Sequence, residues 1–116
     1  MRAELKSLYS TEVEVRSYVP SDEAFCVNVT AEVGQLGDEG ADNFEIEVCS
    51  PQWLERAVRH DKVVSGRHRL FMDGFNFDAL ESYVLKRVRQ AEGPNWESVA
   101  EKLSRWALWE FEDYRP

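Results

Sequence analysis

Two cysteines, two histidines and 22 carboxylates are the side chains of this sequence with chemistry to offer, and their spacing decides which chemistry is open to them. His60 is followed at once by Asp61, which has the composition of an acid–base pair. Adjacent residues point in different directions, however, and a general base needs its partner within hydrogen-bond reach. His60 and His68 therefore read as solvated or structural groups. Cys26 and Cys49 have apolar neighbours, no CxxC spacing and no histidine nearby in sequence. Two strands could set them side by side, but a cytosolic chain keeps its thiols reduced, and reduced thiols are expected. A zinc site needs about four ligands at recognisable spacing, which two Cys and two His so arranged do not supply. The sequence contains no GxSxG, HExxH, P-loop lysine or dinucleotide glycine fingerprint. No catalytic residue, metal or cofactor is assigned, and the chain reads as a binding protein.

The carboxylates sort by position. Glu45 and Glu47 lie two apart on a strand and face away from Phe44, Ile46 and Val48, as on a solvated outer face. The run Asp38-Glu39-Gly40-Ala41-Asp42-Asn43 has some of the composition of a calcium loop but lacks its alternating ligands and the glutamate at position twelve. Charge is uneven along the chain. Residues 1–58 carry 12 acids against 4 Lys and Arg, and residues 59–116 carry 10 against 10, so the whole excess of −8 lies in the first half. That balance argues against nucleic acid, which is held largely through Lys and Arg at phosphates, and favours a basic protein partner. The cluster Gly66-Arg67-His68-Arg69 supplies cations for nearby acids. Two acidic groups are candidates for the partner surface. One is Asp38, Glu39 and Asp42 in a glycine-rich loop. The other is Glu110, Glu112, Asp113 and Tyr114 at the end, where acids surround Trp109 and Phe111. Aromatic anchors ringed by carboxylates suit a basic surface, because the rings bury area while the charges steer.

The elements that must position these groups follow from periodicity. Residues 3–9 alternate as a first strand. Phe25, Val27, Val29, Ala31 and Val33 share one face of a second strand, and Phe44, Ile46 and Val48 share one face of a third. The glycine-rich segment 34–43 between them predicts an antiparallel hairpin. Ser50-Pro51 opens a helix over 51–58, with serine as cap and proline at the first helical position. Trp53, Leu54, Ala57 and Val58 form its apolar stripe. Residues 59–68 are polar and basic, and 67–72 read as a strand with Leu70 and Met72 on one face. Asn76 caps a helix of about 15 residues striped by Phe77, Leu80, Val84, Val88 and Ala91. Gly93-Pro94 stops it. Asn95 caps a third helix striped by Trp96, Val99, Ala100, Leu103, Trp106 and Ala107. Trp109 to Tyr114 alternate as a short strand or an extended docking arm. The expected fold is α+β, a small antiparallel sheet with three helices in a single domain over residues 1–116. Residues 1–20 hold no apolar run of the length that a signal or a membrane span requires, so a cytoplasmic protein with no membrane partner is expected.

Four segments resemble one known family. They are Ala3-Glu4-Leu5-Lys6-Ser7-Leu8; Asp42-Asn43-Phe44-Glu45-Ile46-Glu47-Val48-Cys49-Ser50-Pro51-Gln52-Trp53-Leu54; Gly66-Arg67-His68-Arg69-Leu70-Phe71; and Trp109-Glu110-Phe111-Glu112-Asp113-Tyr114. In this order they are similar to the immunity protein 8 family, and Val48–Leu54 and Trp109–Tyr114 are the most specific stretches. Residues 9–24 and 55–65 carry none of the likeness. The resemblance implies a protein that stays in the producer's cytoplasm and blocks a cognate toxin domain, in many such systems a nuclease. On that reading Asp38, Glu39, Asp42, Glu110, Glu112, Asp113 and Tyr114 would meet the toxin, though the choice rests on charge and not on the family signature. The competing readings are an acidic adaptor module with no toxin partner, and a small hydrolase built on carboxylates. Oligomeric state is not legible.

Overall fold

The computed structural model describes residues 1–113. Its centre is a hairpin of β2 (Cys26–Gln35) and β3 (Asp42–Cys49), with β1 (Ala3–Tyr9) antiparallel on the other side of β2. The register sets Val27 against Val48, Val29 against Ile46 and Ala31 against Phe44. The alternation seen in the sequence thus becomes one continuous apolar face, and these six side chains are all buried. Burying an apolar side chain of this size contributes about 1.5–3 kcal/mol, more than the roughly 1 kcal/mol of a helix cap, so this face dominates the fold. Where the hairpin loop folds back, a Cβ on Gly34 would stand 1.9 Å from the carbonyl oxygen of Gly40, and only glycine allows that approach.

Three helices follow: α1 (Pro51–Asp61), α2 (Phe77–Gln90) and α3 (Trp96–Leu103). Each cap expected from the sequence is formed. The side chains of Ser50, Asn76 and Asn95 accept from the backbone N–H groups of Trp53, Ala79 and Ser98. Phe77, Leu80, Val84 and Val88 of α2 and Val99, Ala100 and Leu103 of α3 join the strands in one buried cluster. Trp106 and Ala107 are buried too, but in the turn after α3 rather than on it.

Differences from expectation concern the edges. The sheet is mixed. Beside the last three residues of β3, β4 (Arg69–Phe71) runs parallel, because α1 and the segment after it turn the chain back only far enough for Arg69 to enter opposite Glu47. β5 (Leu108–Trp109) pairs antiparallel with the start of β3 at Phe44 and Glu45. So β3 is flanked by β2 along its length, by β5 at one end and by β4 at the other. The helix α1 runs on to Asp61, and none of its residues is buried. Trp53, Leu54 and Ala57 are half-buried and Val58 is 40% exposed, so the expected apolar stripe covers an edge and not the core. The strand expected over 67–72 shrinks to three residues, preceded by His68 at φ 61°. Among the described residues, no helix is long and apolar enough to cross a membrane.

Candidate functional site

The start of β3 gathers the two acidic segments at one end of the sheet. Asp42 uses a single carboxylate oxygen, Oδ2, to accept from the indole N–H of Trp96 at 2.8 Å and from that of Trp109 at 2.9 Å. Trp96 is delivered by the first turn of α3, which a capping box between Asn95 and Ser98 fixes. Trp109 is delivered by β5, whose register sets it against Phe44. The two rings stack with centroids 6.4 Å apart at 11°. Phe111 then meets Trp109 edge-on at 5.9 Å. Glu110 continues the pairing, giving its N–H to the Asn43 carbonyl and accepting the Asn43 N–H on its carboxylate, each at 3.0 Å. Glu112 is held by Arg67 at 2.9 Å, which uses one cation of the basic cluster as expected.

Beyond these contacts the chain encloses a cleft of about 440 Å³ between α3 and the terminal segment. Trp109 and Phe111 give it an aromatic lining, and Glu97, Glu101, Glu112 and Asp113 surround them. Glu97 and Glu101 are exposed and stand four apart on the side of α3 away from its buried stripe. Asp113 takes φ 61°, a left-handed conformation that aspartate tolerates better than most residues. Among the described residues, the carboxylates of Glu97, Glu101 and Asp113 have no hydrogen-bonded or ionic partner, whereas those of Asp42, Glu110 and Glu112 are each held from within. A carboxylate already satisfied by indole or backbone N–H groups is costly to redirect, so the unpaired three have most to offer a partner.

The glycine-rich loop lies alongside. Asp38 and Asp42 line a small hollow of about 200 Å³ with Trp96. Asp38 turns its carboxylate to the Glu39 N–H at 2.8 Å. Lys6 reaches the Asp38 carbonyl and pairs with Glu4 at 2.6 Å, and this contact holds the Glu4 carboxyl below its ordinary range. Glu39 is exposed. Tyr114, the last candidate, lies outside the described residues.

The other candidates for chemistry find dull surroundings. His60 and Asp61 do pair, Nδ1 to Oδ1 at 2.6 Å, which corrects the expectation that neighbours point apart. They are 89% and 58% exposed, and among the described residues no further group bonds to either side chain. The Nε2 of His68 lies 3.1 Å from the Ser104 carbonyl; an oxygen of that kind only accepts, so this nitrogen carries the proton. Among the described residues, no group of three or more His, Cys, Asp or Glu is arranged to hold a metal.

The family model described as immunity protein 8 matches residues 3–114. The chain belongs to the immunity protein 8 family. No curated protein and no solved structure matches it. In this immunity protein 8 chain, the two most specific sequence stretches serve different ends. The Val48–Leu54 stretch builds a joint. The Ser50 hydroxyl accepts from Phe25 N at 3.0 Å and Trp53 N at 3.1 Å, and the residue is fully buried. The stretch starting at Trp109 forms one wall of the cleft. Glu97 and Glu101 fall outside the glycine-rich loop and the terminal segment that supplied the candidate acids. The findable signal was a pair of acids, four apart, on the polar side of a striped helix.

Proposed function

We propose that this protein neutralises a cognate toxin domain in the producer's cytoplasm by binding it, with no reaction of its own. The observation that carries the reading is the aromatic cleft edged by the unpaired carboxylates of Glu97, Glu101 and Asp113. A toxin arginine or lysine entering there would lay its cation against Trp109 or Phe111 and meet carboxylates at its head. Family membership supports a toxin as partner. The charge supports a basic one, and a nuclease is the natural case because its groove must attract phosphates. Asp38 and Glu39 of the adjacent loop extend the same negative surface and would steer the approach of the toxin.

Co-expression with the toxin encoded beside this chain is the test. The wild type is expected to protect the cell. A variant carrying Glu97→Gln, Glu101→Gln and Asp113→Asn is expected to protect poorly while remaining soluble and folded. Full protection by that variant would remove the cleft from the proposal, and failure of the wild type to protect would remove the toxin. Equal binding to unrelated basic proteins would favour an adaptor.

A further inference from the structure

Outside the cleft, the far end of β3 holds two thiols whose placement is not explained by packing alone. Cys26 and Cys49 are direct cross-strand partners. The next pair along, Phe25 and Ser50, exchanges a backbone bond from Ser50 N to Phe25 O at 3.0 Å. Hydrogen-bonded and non-hydrogen-bonded pairs alternate along an antiparallel ladder, so Cys26 and Cys49 occupy a non-hydrogen-bonded position. There the Cα atoms approach to about 4.5 Å and side chains come closest, within the ~4.4–6.8 Å that a disulfide spans. The two Sγ atoms are 3.1 Å apart, about 1 Å beyond a sulfur–sulfur bond. Both cysteines are free, Cys49 fully buried and Cys26 partly open.

We propose that Cys26 and Cys49 form a modification site, a dithiol that closes to a cross-strand disulfide when a hydroperoxide reaches Cys26. In the first step the Cys26 sulfur attacks one peroxide oxygen and the O–O bond breaks. Cys26 becomes a sulfenic acid, and the departing hydroxide leaves as water with the thiol proton. The Cys49 sulfur then attacks the Cys26 sulfur and the S–O bond breaks. The second hydroxide leaves as water with the Cys49 proton. Two thiols lose two protons and two electrons, and one hydrogen peroxide becomes two waters.

The surroundings make closure slow. Burial pushes both thiols up, so little thiolate is present at neutral pH. The Cys26 S–H donates to Glu47 Oε2 at 3.1 Å, which further holds the proton in place. Glu47 is itself paired with Arg69 at 3.2 Å. The result is a pair that resists casual oxidation yet needs almost no backbone movement to close. Asp42 lies seven residues back along the same strand, about 23 Å away at ordinary strand rise, so closure is expected to leave partner binding at the cleft unchanged.

The test treats the folded protein with hydrogen peroxide at neutral and mildly alkaline pH, followed by denaturation, alkylation and intact-mass measurement. The expected product has lost two hydrogens, offers no thiol to the alkylating reagent, remains a monomer without reductant and reverts with dithiothreitol. Its melting temperature rises by roughly 5–12 °C, as a cross-link closing a loop of this length implies. Closure is faster at the higher pH. Cys49→Ser is expected to stop at oxygen adducts on Cys26, and Glu47→Gln to close several-fold faster than wild type. Two alkylatable thiols after prolonged exposure of the wild type, an oxygen adduct without closure, or linkage only between chains would each overturn the site. An unchanged rate in Glu47→Gln would overturn the part given to Glu47.

Discussion

The two ends of β3 treat polar groups in opposite ways. At the Cys49 end, most of the polar side chains near the strand are paired locally, although Asn28 Oδ1 and Arg69 Nε are buried without a partner among the described residues. Ser50 satisfies two backbone donors at once, Glu47 pairs with Arg69, and on the adjoining α1 Arg56 pairs with Asp22 of the segment before β2 and Arg59 with Glu55. At the Asp42 end, one carboxylate ties together two indoles from distant segments, and the carboxylates of Glu97, Glu101 and Asp113 stand around an aromatic hollow with no partner among the described residues. Negative charge is present at both ends, and Glu23 and Asp73 at the Cys49 end also stand without a side-chain partner among the described residues. What separates the ends is that the free carboxylates of the Asp42 end stand around Trp109 and the exposed ring of Phe111, whereas Phe25 at the other end is buried.

The sharpest way to break this contrast is to remove the two internal ties. Ser50→Ala strands Phe25 N and Trp53 N in a buried joint, and the expected loss is about 3 kcal/mol in urea unfolding, with partner affinity unchanged in the fraction that folds. Asp42→Ala strands two half-exposed indole N–H groups that water reaches in part, so about 2 kcal/mol is expected. Here the partner should also be lost, because Trp109 and the helix carrying Glu97 and Glu101 are no longer pinned together. Equal effects of the two substitutions on binding would mean that the ends do not differ in function.

Next in size is the charge itself. Neutralising Glu97, Glu101 and Asp113 together is expected to slow toxin association roughly tenfold at low salt, with a smaller effect at high salt, where screening already removes the attraction. Neutralising Glu23 and Glu55, exposed acids at the other end, is expected to change the rate less than about twofold. Stopped-flow association at two ionic strengths separates the cases. A matching slowdown from the control pair would show that net charge, and not its place, does the steering.

Much of this was readable before folding. The period-2 runs of β2 and β3, the stripe of α2, and the caps Ser50, Asn76 and Asn95 are local features whose partners sit within a few residues, and local chemistry decided them. The parallel setting of β4 was not readable, since three residues carry no mark of strand direction and the crossover through α1 settles it. Nor was the role of Asp42 readable. Its indole partners lie 54 and 67 residues away, and only tertiary pairing brings them to one oxygen. The candidate acids therefore divided after folding into those whose carboxylates are tethered, Asp38, Asp42, Glu110 and Glu112, and those left free, Glu39 and Asp113. The two on α3 entered only when the helix was docked. In Cys26 and Cys49 the sequence allowed proximity, but only the strand register turned that into opposed thiols.

The smallest effect tests whether the Cys49 end holds its acids in solution as tightly as its geometry says. Asp22 accepts from Arg56 at 3.0 Å and from the Ala24 N–H at 3.3 Å, and these contacts, led by Arg56, hold its carboxyl below the ordinary value. A group whose folded value is depressed adds stability above its unfolded value and loses it as pH falls through the folded one. Because the pair is exposed and screened, the gain is slight, and the titration itself is the better readout. In Arg56→Gln the Asp22 midpoint followed by carboxyl NMR should move up toward that of a free aspartate, with unfolding at neutral pH almost unaltered. A midpoint that stays put would mean that Arg56 does not hold Asp22 in water. The acids of this end would then be as available to a cation as those of the cleft, and only the aromatic lining would distinguish the two.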